Sequence, residues 1–254
     1  MDIWQALILG IVQGITEWLP ISSSGHLVIV QSLFGLLQPV AFDLALHLGS
    51  LLVVLLVFWK DITELVVGVF RWQREKLLLL LFLIIGTIPI AIIGYFFNDW
   101  VTQAFSDVRV VGFGLLFTAV LLFFSRYPLK KEKKLSWGRA AIIGLFQGVA
   151  ILPGVSRSGS TIASGMFLGV KKEEVARFSF LLFIPAILGA TVLQMHHLAE
   201  LENLPAVGLG VLASVVVGWL SLRLLLYIIK KDNFFWFSAY CAVVGLLVLG
   251  FSLF

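Results

Sequence analysis

The chain has 254 residues, of which 60% are hydrophobic and 13% are charged, and its mean hydropathy is +1.06. A soluble domain is usually about half apolar and a quarter charged, so this composition excludes an ordinary soluble globular protein. The net charge of +4 does not require a nucleic-acid partner, because basic residues in so apolar a chain mark the cytoplasmic loops of membrane proteins. We therefore expect a membrane partner and no nucleic acid.

Apolar segments follow one another along the whole chain. They span residues 3–18, 25–37, 41–59, 77–97, 109–125, 140–152, 159–169, 175–193, 206–229 and 234–254. Crossing a bilayer takes about 20 residues, so 25–37, 140–152 and 159–169 are too short to cross and are typical of re-entrant segments. The alternating polarity of an outer-membrane barrel is absent. The pattern predicts an all-α integral membrane protein with about six transmembrane helices plus two re-entrant helical hairpins.

The basic residues test this arrangement. If the six long segments from 41–59 onward cross and residues 3–37 and 140–169 are hairpins, four basic clusters fall on one face. The clusters are Lys60, Arg71, Arg74 and Lys76; Arg126, Lys130, Lys131, Lys133, Lys134 and Arg139; Lys171, Lys172 and Arg177; and Arg223, Lys230 and Lys231. The positive-inside rule makes that face cytoplasmic and places the N-terminus outside. Hairpins that cross twice give the same sides, so charge leaves both forms open.

An internal repeat relates the two hairpins. The stretch "LILGIVQGITEWLPISSSGHL" (7–27) matches "AIIGLFQGVAILPGVSRSGST" (141–161) after a shift of 134 residues. The shift aligns Gly10, Gln13, Gly14, Ser22, Ser24 and Gly25 with Gly144, Gln147, Gly148, Ser156, Ser158 and Gly159. Three crossings between the copies invert the second one. Inverted repeats with interrupted apolar segments point to a binding site where the copies meet.

We therefore predict a single membrane domain, 1–254, made of two inverted-topology repeats. These cover about 1–125 and 139–254 and are joined by a basic cytoplasmic loop, 126–138. Irregular backbone at membrane depth must be buried in protein or line a wet cavity. The hairpin tips, near 18–26 and 153–161, are accordingly expected to meet.

The second tip carries an arginine at membrane depth. Such a group costs about 2.5–3.5 kcal/mol even on a lenient insertion scale, so Arg157 needs a partner. One alternative is an ion pair with Glu17 that joins the hairpins. The other is a phosphate, which suits the guanidinium fork. Its neighbours favour phosphate: Gly159 permits close approach at a helix N-terminus, and hydroxyls come from Ser156, Ser158, Ser160 and Thr161. These serines could instead only cap a helix.

The first tip supplies complementary groups. Glu17 lies four residues after Gln13, so both share one helix face, and a carboxylate inside a membrane is a candidate functional group. Beside His26 stand the hydroxyls of Ser22, Ser23 and Ser24, an arrangement that nucleophilic catalysis uses. A carboxylate, a nucleophile, a histidine and a cation together indicate phosphoryl transfer, which depends on positioning and charge neutralisation.

The motifs "QGITEWLPISSSGH" and "PGVSRSGST" resemble the two signatures of the bacterial undecaprenyl-diphosphate phosphatases of the BacA type. The resemblance extends over length, apolar pattern, duplicated hairpins and loop charges. It implies hydrolysis of undecaprenyl diphosphate to undecaprenyl phosphate, the carrier lipid of peptidoglycan synthesis, and lower bacitracin sensitivity. It also implies a bacterial plasma membrane location and a divalent cation, Mg²⁺ or Ca²⁺. An oligomer stays possible.

The resemblance also assigns residues. It makes Glu17, Ser23, His26 and Arg157 catalytic, and Gln13 with Glu17 the metal ligands; many members have Glu where this chain has Gln13. The substrate contacts it implies are Gln13, Ser22, Ser24, Gly25, Ser156, Ser158, Gly159 and Thr161. Either Ser23 is the nucleophile, with Glu17 or His26 taking its proton, or His26 is. The cleft is expected to open toward the outer face.

Two further polar clusters have alternative interpretations, and two other functions compete with the phosphatase. For Asp43 and His47 we favour the polar end of a helix at the membrane interface over a pair that positions a site residue or binds a metal. His196 and His197 are expected in a solvated outer loop. A lipid flippase or transporter is the competing function, because inverted repeats are typical of alternating access. A phosphatidic-acid-type phosphatase is excluded, since its downstream histidine motif is missing after Arg157.

Overall fold

The computed structural model describes residues 1–36, 40–127, 132–231 and 233–252. Lys130 and Lys131 of the predicted basic loop lie outside these ranges, as do the last residues of segments 25–37 and 234–254. Twelve α-helices lie within the described residues. They are α1 (Ile3–Trp18), α2 (Ser23–Leu33), α3 (Val40–Val57), α4 (Trp59–Phe70), α5 (Arg74–Phe96), α6 (Asn98–Phe105), α7 (Val108–Phe124), α8 (Trp137–Val149), α9 (Arg157–Phe167), α10 (Lys172–Gln194), α11 (Leu204–Lys230) and α12 (Phe237–Phe251).

Five helical stretches are long and apolar enough to cross a membrane. They contain α3, α5, α10, α11 and α12. A sixth arises if α6 and α7, which meet at an angle of 96°, form one span. These six are the segments predicted to cross. The chain is an all-α integral membrane protein.

The short segments form two helix pairs, α1 with α2 and α8 with α9. The second pair repeats the first at the predicted spacing, because α1 begins at Ile3 and α8 at Trp137, 134 residues later. Each second helix is capped in the same way: the Ser22 hydroxyl accepts from the Gly25 N–H (3.2 Å), and the Ser156 hydroxyl accepts from the Gly159 N–H (3.1 Å). The division into two inverted repeats stays a prediction.

The first helix of each pair packs against a long helix from the other half of the chain. Helix α1 packs on α11, and α8 packs on α5. A Cβ on Gly10 would overlap the Gly210 carbonyl, and one on Gly144 would lie 2.6 Å from the Gly86 carbonyl oxygen. Glycine is therefore required where each short helix crosses its long partner, since only a missing side chain permits this backbone approach.

Two stretches expected as loops are helical. Helices α4 and α6 occupy parts of the chain that are too short and too polar to cross, so the transmembrane pattern did not reveal them. Helix α4 buries only Leu65 and Gly68, and its polar side chains reach neighbouring elements at one end of the protein. Residues of all four basic clusters, or acidic residues beside them, meet at this end. The contacts are Arg177–Asp61 (3.1 Å), Lys171–Glu132 (2.9 Å) and Lys172 Nζ to the Lys230 carbonyl (3.2 Å).

Replacing Gly10 by alanine should destabilise the protein, because the new methyl group has no room between α1 and α11. We expect a loss of about 1–3 kcal/mol in the free energy of unfolding, the usual cost of overpacking. Thermal unfolding in detergent measures it. The matched control is Gly208→Ala on α11, where a Cβ meets open space and the protein should unfold no earlier than wild type. Equal melting temperatures for the two variants would contradict this packing.

Candidate active site

The tips of the two helix pairs are in contact, as predicted. The Ser158 hydroxyl lies 3.5 Å from the Leu19 carbonyl oxygen. Gly25 faces Gly154 so closely that a Cβ on Gly25 would lie 3.0 Å from the Gly154 Cα. The turns that precede α2 and α9 therefore form one buried junction.

The carboxylate of Glu17 lies at the centre of this junction, and its side chain is only 5% exposed. Oε1 accepts from Arg157 Nη2 at 2.7 Å. Oε2 accepts from the Ser23 hydroxyl at 2.6 Å and from Gln13 Nε2 at 3.1 Å. The Glu17–Arg157 ion pair, one of the two alternatives from the sequence, is thus present in the structure.

Arg157 keeps part of its donor set free. Its guanidinium lies 4.2 Å above the ring of Phe183, and Nη2 is used by Glu17. Nη1 is buried and has no hydrogen-bond partner among the described residues. Buried donors are nearly always paired in folded proteins, and a guanidinium pairs best with an anion. The ion pair and an anion can therefore be held by the same arginine through different nitrogens.

Helix α3 contributes residues that the sequence analysis placed elsewhere. His47 Nε2 lies 3.5 Å from Glu17 Oε2, and Asp43 accepts a hydrogen bond from Gln31 Nε2 at 2.7 Å. The interpretation as a polar helix end was wrong for His47, because α3 runs beside α1 and turns His47 toward the carboxylate, whereas Asp43 does lie in the first turn of α3. Ser50, which was missed, accepts from Gln13 Nε2 at 3.2 Å. Its signal was its spacing of three residues from His47 on one helix face.

The hydroxyls of the second tip do not all lie at the site. Ser156 caps α9, and its hydroxyl lies 3.3 Å from that of Ser158. Thr161 instead lies against α10, with its hydroxyl 2.6 Å from that of Ser179. A substrate contact through Thr161 has no support in this geometry, because one turn of helix carries its side chain away from the tip. Ser160 is buried, with no partner for its hydroxyl among the described residues.

Thr118 on α7 holds the second tip and was not foreseen. Its hydroxyl accepts from the Ser156 N–H at 2.9 Å and donates to the Gly154 carbonyl at 3.0 Å. Gly154 has φ +88°, a conformation that favours glycine. A threonine inside an apolar helix is a weak sequence signal, since its hydroxyl usually bonds its own helix.

Both ring nitrogens of His26 are engaged by groups other than Ser23. One ring nitrogen, Nδ1, lies 2.7 Å from the Ser22 carbonyl oxygen, and the other, Nε2, lies 2.8 Å from the Tyr240 hydroxyl. Ser24 is tied to Ser22, with 3.2 Å between their hydroxyls. Because the Ser23 hydroxyl donates to Glu17, the geometry favours Glu17 over His26 as the acceptor of the Ser23 proton.

Comparison with known proteins identifies the family of the chain. The chain matches the sequence model of a family described as "Bacitracin resistance protein BacA" over residues 6–247. The chain belongs to the BacA family. Named relatives in this family cover almost its full length, and each is called undecaprenyl-diphosphatase. They include proteins from Bacteroides thetaiotaomicron (43% identical; 96% of this chain and 97% of the relative), Parabacteroides distasonis (42%; 100% and 99%) and Desulforapulum autotrophicum (41%; 97% and 97%).

The oxygen atoms around Glu17 fit the divalent cation that resemblance to the BacA family implied. Gln13 Oε1 is buried without a hydrogen-bond partner among the described residues, next to the Glu17 carboxylate. No group of three or more His, Cys, Asp or Glu side chains suited to a metal occurs in the described ranges. Mg²⁺ is commonly held by one or two carboxylates together with substrate phosphates. One carboxylate and one amide oxygen meet that requirement.

Proposed function

We propose that this protein hydrolyses undecaprenyl diphosphate to undecaprenyl phosphate and inorganic phosphate. Membership of the BacA family and the shared name of its relatives support this substrate. The observation that carries the proposal is the arrangement around Glu17. A serine hydroxyl donates to this buried carboxylate, and an arginine with one free nitrogen pairs with it. A flippase has no use for such a polarised hydroxyl, so the geometry favours the hydrolase.

In the proposed first step, Ser23 Oγ attacks the terminal phosphorus and its proton passes to Glu17 Oε2. The bond from that phosphorus to the bridging oxygen breaks, and undecaprenyl phosphate leaves with the bridging oxygen. Water then attacks the phosphorus of the phosphoserine, and the bond from phosphorus to Ser23 Oγ breaks. Glu17 returns its proton to Ser23 Oγ, the water oxygen and its protons stay on the phosphate, and inorganic phosphate is released. Nη1 of Arg157 stabilises the charge on the phosphate oxygens, as a preorganised donor does in a site shielded from water.

A divalent cation, Mg²⁺ or Ca²⁺, is part of the proposal. Gln13 Oε1 and the Glu17 carboxylate would hold it together with phosphate oxygens. Bound there, it supplies charge neutralisation for the diphosphate. Gln13 itself orders the carboxylate, because its Nε2 donates to both Glu17 and Ser50.

The proposed location is the bacterial plasma membrane, with the site open toward the outer side. The basic clusters gather at one end of the protein, which the positive-inside rule assigns to the cytoplasm. The N-terminus lies with the loop that lacks basic residues, since Asn203 Nδ2 donates to the Met1 carbonyl at 3.3 Å. Hydrolysis there would return the carrier lipid to peptidoglycan synthesis and lower sensitivity to bacitracin.

Removing the arginine tests the proposal directly. Arg157→Ala should lower kcat for phosphate release from undecaprenyl diphosphate by about 10²–10³-fold, the usual effect of removing a donor that stabilises developing charge. Arg109→Ala is the matched control, because Arg109 is exposed and its ion pair among the described residues is with the neighbouring Asp107 (2.9 Å). Release is measured on purified protein in detergent. Wild-type protein that moves the lipid across liposome membranes yet releases no phosphate would contradict the hydrolase.

Trapping the phosphorylated enzyme distinguishes the two nucleophiles. The geometry predicts an acid-stable phosphoserine on Ser23, which rapid acid quenching and peptide mass spectrometry detect. His26→Gln should still form this adduct, whereas Ser23→Ala should not. An acid-labile phosphate on His26 in the wild-type protein would contradict Ser23 as the nucleophile.

A further inference from the structure

The hydrogen bonds of His26 define its tautomer. Nδ1 lies 2.7 Å from the Ser22 carbonyl oxygen, which can only accept, so Nδ1 carries a hydrogen. In the neutral ring Nε2 then holds the only free lone pair. That nitrogen lies 2.8 Å from the Tyr240 hydroxyl, and the phenol must therefore be the donor. The two rings also stack, with centroids 5.7 Å apart and an interplanar angle of 14°.

Helix α12 holds the first tip through two successive residues. Tyr240 donates to His26, and the thiol of Cys241 lies 3.6 Å from the Pro20 carbonyl oxygen. The two side chains differ in solvent exposure. Cys241 is fully buried, whereas 43% of Tyr240 is exposed. The phenol can thus move without disturbing the packing of α12, while the thiol cannot.

We propose that Tyr240 is a positioning residue that masks His26. Its hydroxyl occupies the Nε2 lone pair and keeps the Nδ1–H tautomer, so His26 can neither accept a proton nor attack phosphorus until the phenol turns away. The ring of His26 stays in place during this change because the Ser22 carbonyl holds its other nitrogen. The masking follows from contacts within the protein. Only the expected effect of Tyr240→Phe on kcat for phosphate release rests on the proposed function.

The test uses diethyl pyrocarbonate, which reacts with the free lone pair of a neutral imidazole. Purified full-length wild type, Tyr240→Phe and Tyr95→Phe are labelled in detergent without substrate, and the rate at each histidine is followed by peptide mass spectrometry. Tyr95→Phe is the matched control, since Tyr95 is exposed and contacts the ring of Phe96. In Tyr240→Phe the rate at His26 should rise about fivefold, the factor set by one hydrogen bond of ordinary net strength.

The other histidines act as internal controls. His47, His196 and His197 should label at the same rate in all three proteins, so a general loosening of the fold would be seen as a rise at His47 as well. An unchanged rate at His26 in Tyr240→Phe, or a rise at His26 matched at His47, would overturn the masking.

Kinetic measurements distinguish a Tyr240 that only masks His26 from a Tyr240 whose hydroxyl takes part in the reaction. A fall of tenfold or more in kcat for phosphate release by Tyr240→Phe, with KM unchanged, would make Tyr240 a reacting group and overturn its role as a mask. Failure of the proposed function has a different signature. Wild-type protein would then release no phosphate, while the labelling of His26 would still respond to Tyr240→Phe.

Discussion

The Glu17 carboxylate is removed from water, and the rest of the site depends on how that charge is compensated. An unpaired buried carboxylate is too costly to persist, so the chain must bring donors and a cation to it. The partners come from four helices: Gln13 lies on α1, Ser23 on α2, His47 on α3 and Arg157 on α9. One buried charge therefore fixes the relative positions of both helix pairs, and losing either member of its ion pair should cost about 3–5 kcal/mol.

The scaffold around this charge is built to bring two backbone turns together. Glycines let α1 and α8 lie directly on α11 and α5, which carries the short helices into the interior. Thr118 on α7 then holds the second tip, while Tyr240 and Cys241 on α12 hold the first. Because α7 and α12 also pack on each other, the two turns are supported by one pair of helices. Such support keeps the Ser23 hydroxyl within hydrogen-bond distance of the Glu17 carboxylate, as the proposed catalysis by positioning requires.

Local sequence patterns predicted part of the fold and part of the site. The run lengths predicted the crossing helices, and the repeat predicted two hairpin tips that meet. The cost of Arg157 in a membrane predicted a partner, and Glu17 was one of the two named. Thr118 and Tyr240 were missed, and for His47 the role beside the site was only the less favoured alternative, because these roles arise from contacts with helices far away in sequence. Each is a single polar residue in an apolar run, and tertiary packing alone decides which way it points. Helix α4 was missed because its polar and charged residues are typical of a loop between transmembrane helices.

Glu17 and Arg157 join the two tips as one energetic unit. A double-mutant cycle with Glu17→Gln, Arg157→Gln and the combined variant, followed by unfolding in detergent, measures it. We expect a coupling free energy of about 2 kcal/mol or more, because each single variant leaves its buried partner uncompensated. Single effects that add to within about 0.5 kcal/mol would contradict it, since that is the behaviour of residues that do not interact.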